Sequence, residues 1–391
     1  MKLFLIKIGK AWGVLKRDGF LNGGKRIFSA FFAPFKKVGA GDVLFITGGV
    51  GDSALYRTHH VAEELELHGF KCSVTVQDSP FLAGYADKFK IFIFHRVIST
   101  PKVSKLIQKI KEQKKEIIFE TDDLVFDTKY YKDHDYFKEM NYFTKKLYEK
   151  GVGEEILKDE YVKTCTCTTS YLAKELEKYN KKVFVVPNKL SNQDLETVNK
   201  IKNLKFKIEN SDVVRIGYFS GTGSHNKDFA SIMDALFKIL EKHSNVELFL
   251  AGPLDVENKL NKFKDRINQL PYVARKKHFS NIASVDINIV PLEINSPFCE
   301  AKSELKYFEA GILEVPTVAV RNQTFSEAIT DGENGFLASS TEEWIDKIGK
   351  LITDENLRKS IGKKAREKSL KDYTNKNSHN EEYYRYLSSK L

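Results

Sequence analysis

Lys302, Lys306 and Glu309 are spaced i, i+4, i+7, which on one helix sets two ammonium groups and a carboxylate along one side. Cations near a helix start act in the same sense as its free N–H groups and dipole, so such a site would receive an anion, for instance a phosphate. Glu309, about a turn further on, could accept hydrogen bonds from paired hydroxyls such as those of a ribose. The plainer alternative is a solvated amphipathic helix, its Lys–Glu pair worth only about 0.3 kcal/mol. A second cluster runs from Ser220 to Phe229 and includes Gly221, Thr222, His225 and Asp228. It lies between a strand and a helix, where small residues let backbone N–H groups approach a phosphate. Asp228 would otherwise charge the first turn of that helix.

Positioning these groups calls for strands. Val43–Thr47, Lys71–Val76, Lys90–His95 and Glu116–Glu120 read as strands alternating with helices over Leu55–Leu67 and Pro101–Gln113. This rhythm predicts a parallel, doubly wound sheet. Ligands in such sheets bind beyond the strands' carboxyl ends, which picks out Arg57, His95, Arg96, Asp122 and Asp123. An Asp pair there could accept a ligand's hydroxyls, or one member could cap the next segment. The Gly48–Gly51 turn is too irregular for a dinucleotide fingerprint, and its expected use is to let a ligand approach the backbone. Val213–Phe219 and Val246–Ala251 open a second domain. There Ala301, Leu305, Phe308 and Ile312 form a core-facing stripe ahead of the buried strand Thr317–Val320.

Strand, helix, turn, strand and the loop Asp331-Gly-Glu-Asn-Gly-Phe-Leu337 together resemble the donor-binding half of retaining glycosyltransferases of family 4, which have the GT-B fold. Where that family carries two glutamates with seven residues between them, Glu309 matches the second and Ala301 stands in place of the first. The pattern is similar to a bacterial polysaccharide-biosynthesis branch at Lys302, Ser303, Lys306 and Glu309. It is similar again over Ser220–Phe229, at Tyr56-Arg57 and His95-Arg96, and at Asp122-Asp123-Leu124. Glu314 stands where a glycine is usual.

The resemblance implies an α/β chain with two Rossmann-like domains facing across a cleft, to which the charge distribution adds a basic N-terminal extension. It implies transfer of a sugar from a nucleotide diphosphate donor to a polysaccharide or lipid-linked acceptor, without bound metal or other cofactor. Lys302, Lys306 and His95 would be catalytic, the two lysines meeting the departing diphosphate. Ser220, Gly221, Thr222, His225, Asp228, Ser303 and Glu309 would hold the donor, with Glu309 on the ribose. Arg57, Arg96, Asp122 and Asp123 would hold the acceptor. The expected division is a basic segment 1–40, an acceptor domain 41–195, a linker 196–212, a donor domain 213–365 and a C-terminal helix 366–391 that crosses back to the first domain. Two rivals stay open: an epimerase of the same fold, and a non-catalytic nucleotide-sugar or glycan-binding partner of a biosynthetic complex.

Composition sets bounds on this reading. A length of 391 residues with 41% hydrophobic and 30% charged content describes two ordinary domains. Four cysteines, with Cys165 and Cys167 alternating along one strand and no second ligand pair nearby, fit a reducing compartment and no zinc site. Apolar runs are too short to span a bilayer, and Lys7 and Lys10 interrupt the apolar start, so a cytoplasmic location is expected. The charge is uneven: residues 1–40 hold nine Lys/Arg and one Asp, or +8 of the total +10. With Phe4, Ile8, Ala11 and Leu15 on one stripe, this segment has the composition of an interfacial helix on an anionic membrane. Packing on the domain or on another subunit is the alternative. A basic end on a nearly neutral body argues against nucleic acid.

Overall fold

Parallel strands need a crossover to return the chain, and the crossovers here are the amphipathic segments between apolar runs. The computed structural model describes residues 11, 14–15, 23–24, 26–131, 137, 142, 145–146, 151–203, 212–221, 226–252, 254 and 258–391. Phe4 and Ile8 of the expected N-terminal interfacial stripe, and the predicted donor groups Thr222 and His225, lie outside them. The chain divides into two units. The first comprises Met1–Lys189, Ala301–Ser303 and Ser378–Leu391, and the second Leu190–Glu300 and Glu304–Asn377.

In the first unit, β1 (Val43–Thr47), β2 (Cys72–Val76), β3 (Ile91–His95), β4 (Glu116–Thr121), β5 (Thr164–Cys167) and β6 (Lys182–Val185) lie in the order β2-β1-β3-β4-β5-β6. Every pairing is parallel. β1 and β3 are buried at every residue, as strands covered on both faces must be. Their register sets Thr47 beside His95. A helical run of Asp52–Ala54 and a π-helical stretch, Leu55–His60, leads into α1 (Val61–Leu67). α2 (Pro101–Glu112) starts where Thr100 accepts the Val103 N–H ahead of a proline. Thr169 caps α3 (Ser170–Glu177) in the same way.

The second unit begins with α4 (Asn192–Asn203). The polar stretch read as a linker is therefore helical over its first residues, and these belong to the second unit. β7 (Val214–Phe219) is followed by α5 (Asn226–Ala230), α6 (Met233–Lys242), β8 (Val246–Ala251), β9 (Ile267–Leu270), α7 (Arg275–Ala283) and β10 (Ile287–Val290). Then come α8 (Pro297–Glu300), α9 (Leu305–Gly311), β11 (Thr317–Val320), α10 (Gln323–Ala328), β12 (Phe336–Ala338), α11 (Thr341–Thr353) and α12 (Glu355–Asp372). The sheet order is β12-β11-β10-β7-β8-β9, again all parallel. α9 ends in a turn with Glu314 at φ 64°, the left-handed conformation that a glycine would adopt more readily. Close helix packing needs small residues here: a Cβ on Gly311 would meet the Ser369 hydroxyl at 2.4 Å, and one on Gly362 the Glu314 carbonyl at 2.1 Å.

α13 (Glu381–Ser388) returns to the first unit. Tyr383, Tyr384 and Leu387 enter the core that contains Val43, Phe45, Ile91, Ile93 and Phe184. Ser378 and Tyr384 donate their hydroxyls to the buried Glu64 carboxylate at 2.5 and 2.6 Å. Lys189 reaches the other oxygen at 2.8 Å. Among the described residues, no helix is long and apolar enough to cross a membrane.

Candidate functional site

Strand order reverses between β1 and β3 in the first sheet and between β7 and β10 in the second. Loops diverge at such points and leave a crevice. In the first unit this places the ends of β1, β3 and β4 together. Ser53 donates its hydroxyl proton to Asp122 Oδ2 at 2.7 Å and lies 3.1 Å from His95 Nε2. With that one proton spent, Ser53 Oγ can only accept from the ring, so Nε2 carries a hydrogen. Thr47 Oγ1 fixes the other ring nitrogen at 3.1 Å. Arg96 Nε donates to Asp122 Oδ1 at 2.5 Å. Burial works to raise the Asp122 carboxyl, but Arg96, His95 and Ser53 outweigh it and hold the group well below the usual carboxylate range. Arg96 takes φ 48° at the strand's end, a conformation uncommon for a non-glycine residue.

Two expected roles change here. His95 is only 2% exposed, with both ring nitrogens engaged, so it can orient Ser53 and Asp122 rather than reach a ligand. Arg57 is also interior. Its Nε and Nη2 donate to the two oxygens of Glu120 at 2.8 and 3.1 Å, and its Nη1 donates to Val186 O at 2.7 Å and Asn188 Oδ1 at 3.1 Å. Four of its five N–H donors are spent inside the unit and the side chain is buried, which corrects its assignment to an acceptor. The Gly turn is also used differently. A Cβ on Gly48 would lie 1.9 Å from the Arg96 carbonyl oxygen, so this glycine admits protein backbone, while Gly49 and Gly51 face open space.

The helix expected to carry both lysines is broken. α8 stops at Glu300 and α9 starts at Leu305, so Lys302 and Ser303 lie in the intervening segment and not on the face of Lys306. Ala301–Ser303 group with the first unit. There Lys302 Nζ donates to Asp123 Oδ2 at 2.8 Å, and Ser303 Oγ accepts from Asn188 Nδ2 at 3.0 Å. Asp123 also caps the next turn by accepting the Leu124 N–H at 2.9 Å. The position at the start of α9 is occupied by the buried carboxyl residue Glu304, so the pairing of two cations at a helix start is not formed.

Lys306 stays at the second switch point. Its ammonium sits 4.8 Å from the centroid of the Tyr218 ring, beside the carboxyl end of β7. Ser220 and Gly221 follow that strand directly. Asp228, on α5, accepts the Glu293 N–H at 3.1 Å and the Cys299 thiol at 3.4 Å, so it ties the loop after β10 to the helix after β7. Asp228, Glu293 and Cys299 bring possible metal-ligand atoms within 4.8 Å of one another, but the contacts seen there are hydrogen bonds that hold two loops in place.

Glu309 is buried at 4% exposure rather than displayed on a polar face. Arg275 Nη1 donates to its Oε1 at 3.0 Å, and His278 Nε2 lies 3.2 Å from Oε2. Arg275 also forks onto Asp194 at 2.6 and 3.0 Å. Sequence reasoning missed Arg275, His278 and Asp194, which no local spacing connects. Ser53 was within reach, because the rule that selected groups after β1 applies to it more directly than to Arg57.

Two Rossmann-like parallel-sheet domains with these switch points define a GT-B chain. The solved structures agree. The Anabaena protein HepE in complex with UDP matches at TM-score 0.59 and 14% identity, covering 89% of this chain and all of HepE. A glycosyltransferase from Rickettsia africae matches at TM-score 0.60 and 15% identity, covering 90% of this chain and 99% of the other. Within that fold, residues 214–354 match the family described as glycosyl transferases group 1. Apart from Ala301–Ser303 the match lies within the second unit, which is thus similar to a group 1 glycosyl transferase domain. The capsular polysaccharide biosynthesis glycosyltransferase CapM of Staphylococcus aureus is 29% identical over 173 residues. This chain spans less than half of that relative's length, 44% of each being aligned.

Proposed function

We propose that the chain is a retaining, metal-independent glycosyltransferase, moving a sugar from a nucleotide diphosphate to a glycan or lipid-linked acceptor of polysaccharide synthesis. The observation that carries this reading is Lys306, a cation held at the switch point of the domain that matches group 1 glycosyl transferases. The similarity to CapM supports the polysaccharide acceptor, and the structures of HepE with UDP and with UDP-glucose make UDP-sugars the first donors to test.

In such a transfer the bond from the anomeric carbon to the phosphate oxygen breaks, and its electron pair stays on the leaving diphosphate. The acceptor hydroxyl bonds to the same face of that carbon and gives up its proton to the departing phosphate. A fixed cation that meets the growing charge lowers the barrier. Lys306 takes that role, with the N–H groups around Ser220 and Gly221 on the phosphates. Glu309, oriented by Arg275 and His278, has further lone pairs for the ribose hydroxyls. Arg96, Asp122 and Asp123 would receive acceptor hydroxyls, Ser53 and His95 fixing Asp122, and Lys302 fixing Asp123.

The test is a thermal-shift panel of UDP-, GDP- and TDP-linked sugars, followed by incubation of any hit with glycan and lipid-linked acceptors. Binding to the folded state raises apparent stability by mass action. A stabilising donor whose sugar appears on an acceptor with retained anomeric configuration supports the reading. Isomerised or released nucleotide products without transfer would favour the epimerase, and no stabilising donor at all would overturn the proposal.

A further inference from the structure

Phe28, Phe31, Phe32 and Phe35 are 66%, 59%, 48% and 58% exposed. Residues 26–32 are helical and run into the 3-10 turn Ala33–Phe35. At i, i+3, i+4 and i+7 the four rings occupy an arc of roughly 100° on one side. They touch one another, with centroids 4.4 Å apart for Phe28 and Phe32, 5.5 Å for Phe31 and Phe32, and 6.4 Å for Phe31 and Phe35. A contiguous aromatic surface of this kind is seldom left bare on a monomeric soluble protein.

Cations border it. Lys36 and Lys37 follow the last ring and are exposed. Lys37 also lines a depression of about 380 Å³ with Pro80, Phe81, Gly84, Tyr85 and Lys88. Lys37 Nζ stands 4.8 Å from the Phe81 ring centroid and Lys88 Nζ 5.7 Å from that of Tyr85. The Val38 N–H donates to Tyr85 Oη at 3.3 Å, which fixes the aromatic segment's exit beside this depression.

Charge decides what covers the face. Residues 1–40 carry +8, so a second copy presenting the same segment would be repelled. An anionic bilayer satisfies both features, since aromatic rings enter the acyl boundary while lysines stay among the phosphates. We propose that this face docks the chain on an anionic lipid surface. Phe28, Phe31, Phe32 and Phe35 enter the interface, Lys36, Lys37 and Lys88 meet lipid phosphates, and the depression takes one headgroup. This docking stands apart from the transfer reading, because it needs neither donor nor turnover.

The experiment is flotation of the full chain with phosphatidylcholine vesicles, with and without about 30% phosphatidylglycerol, at about 0.1 M and 0.5 M salt. Co-flotation should require phosphatidylglycerol and weaken at the higher salt. Combining Phe28→Ser with Phe31→Ser, and separately Lys36→Glu with Lys37→Glu, should each lower vesicle affinity at least about tenfold with thermal stability retained. All the altered side chains are solvent-exposed, so a folding defect would be visible as a changed melting temperature. Equal flotation of the phenylalanine variant, or no flotation of the native chain, would overturn the proposal. So would a native dimer that the phenylalanine variant converts to monomer, since the face would then join two copies.

Discussion

Arg275 holds Glu309 through a 3.0 Å bond from Nη1 and commits its Nε and Nη2 to Asp194. One guanidinium thus fastens α4, α7 and α9 together and fixes the carboxylate proposed to hold the ribose. Removing it as Arg275→Ala takes the shared cation from two buried carboxylates, Asp194 and Glu309, which should cost about 3 kcal/mol in urea unfolding. Glu309→Gln keeps the shape and one hydrogen bond, so its loss should be about 1 kcal/mol. The ribose role adds a second expectation, weaker donor binding by calorimetry in Glu309→Gln. Native donor affinity in that variant would leave Glu309 a purely internal tie.

Lys306 separates stability from chemistry more cleanly. Its contact with the Tyr218 ring is worth about 1 kcal/mol, and Lys306→Met retains the chain's bulk. The melting temperature should therefore move little, while the transfer rate falls by about a hundredfold or more if the ammonium meets the leaving diphosphate. Single-turnover rates with saturating donor make the comparison. A variant that transfers at the native rate would remove the proposed source of charge stabilisation.

Much of this arrangement was legible in the sequence because it depends on period and punctuation. Runs such as Val43–Thr47 and Ile91–His95 allow only buried parallel strands once helices separate them, and the strand-end rule then finds Arg96, Asp122 and Asp123. The α8–α9 break was not legible, since Ala301 to Glu304 continue an apparently helical pattern. What interrupts it is long-range: Ser303 and Lys302 bond to Asn188 and Asp123, far away in sequence. The inward turn of Arg57 and His95 escaped for the same reason. A strand-end rule says where a residue sits, whereas the partners Glu120, Asn188, Thr47 and Ser53 decide where its side chain goes.

Asp122 gives a pH-dependent expectation. A carboxyl held below its unfolded value adds stability above that value, about 3.9, and loses it as pH falls through the folded value. In the native chain, with the folded value well below the usual range, this contribution is kept into acid. Arg96→Ala removes the nearest cation, leaving burial less opposed. The Asp122 carboxyl then rises, the window narrows, and acid unfolding followed by circular dichroism should begin at a higher pH than in the native protein. Ser53→Ala should shift it in the same direction by removing a hydroxyl donor. An unchanged acid midpoint in both variants would mean that this cluster contributes no net stability.

Gly48 and its neighbours provide a test with an internal control. The Arg96 carbonyl would stand 1.9 Å from a Cβ at position 48, whereas positions 49 and 51 have open space. Because the obstacle is backbone, no rotamer change relieves it, and either the β1 turn or the β3 turn must move. Gly48→Ala should therefore cost about 3 kcal/mol, within the range for steric overlap in a packed site. Gly49→Ala and Gly51→Ala should stay within about 0.5 kcal/mol. The displaced loop also carries Arg96 and follows His95, so the damage should reach Asp122 as well. Gly48→Ala should lose the native protein's resistance to acid along with its stability in urea, while the two control variants keep both.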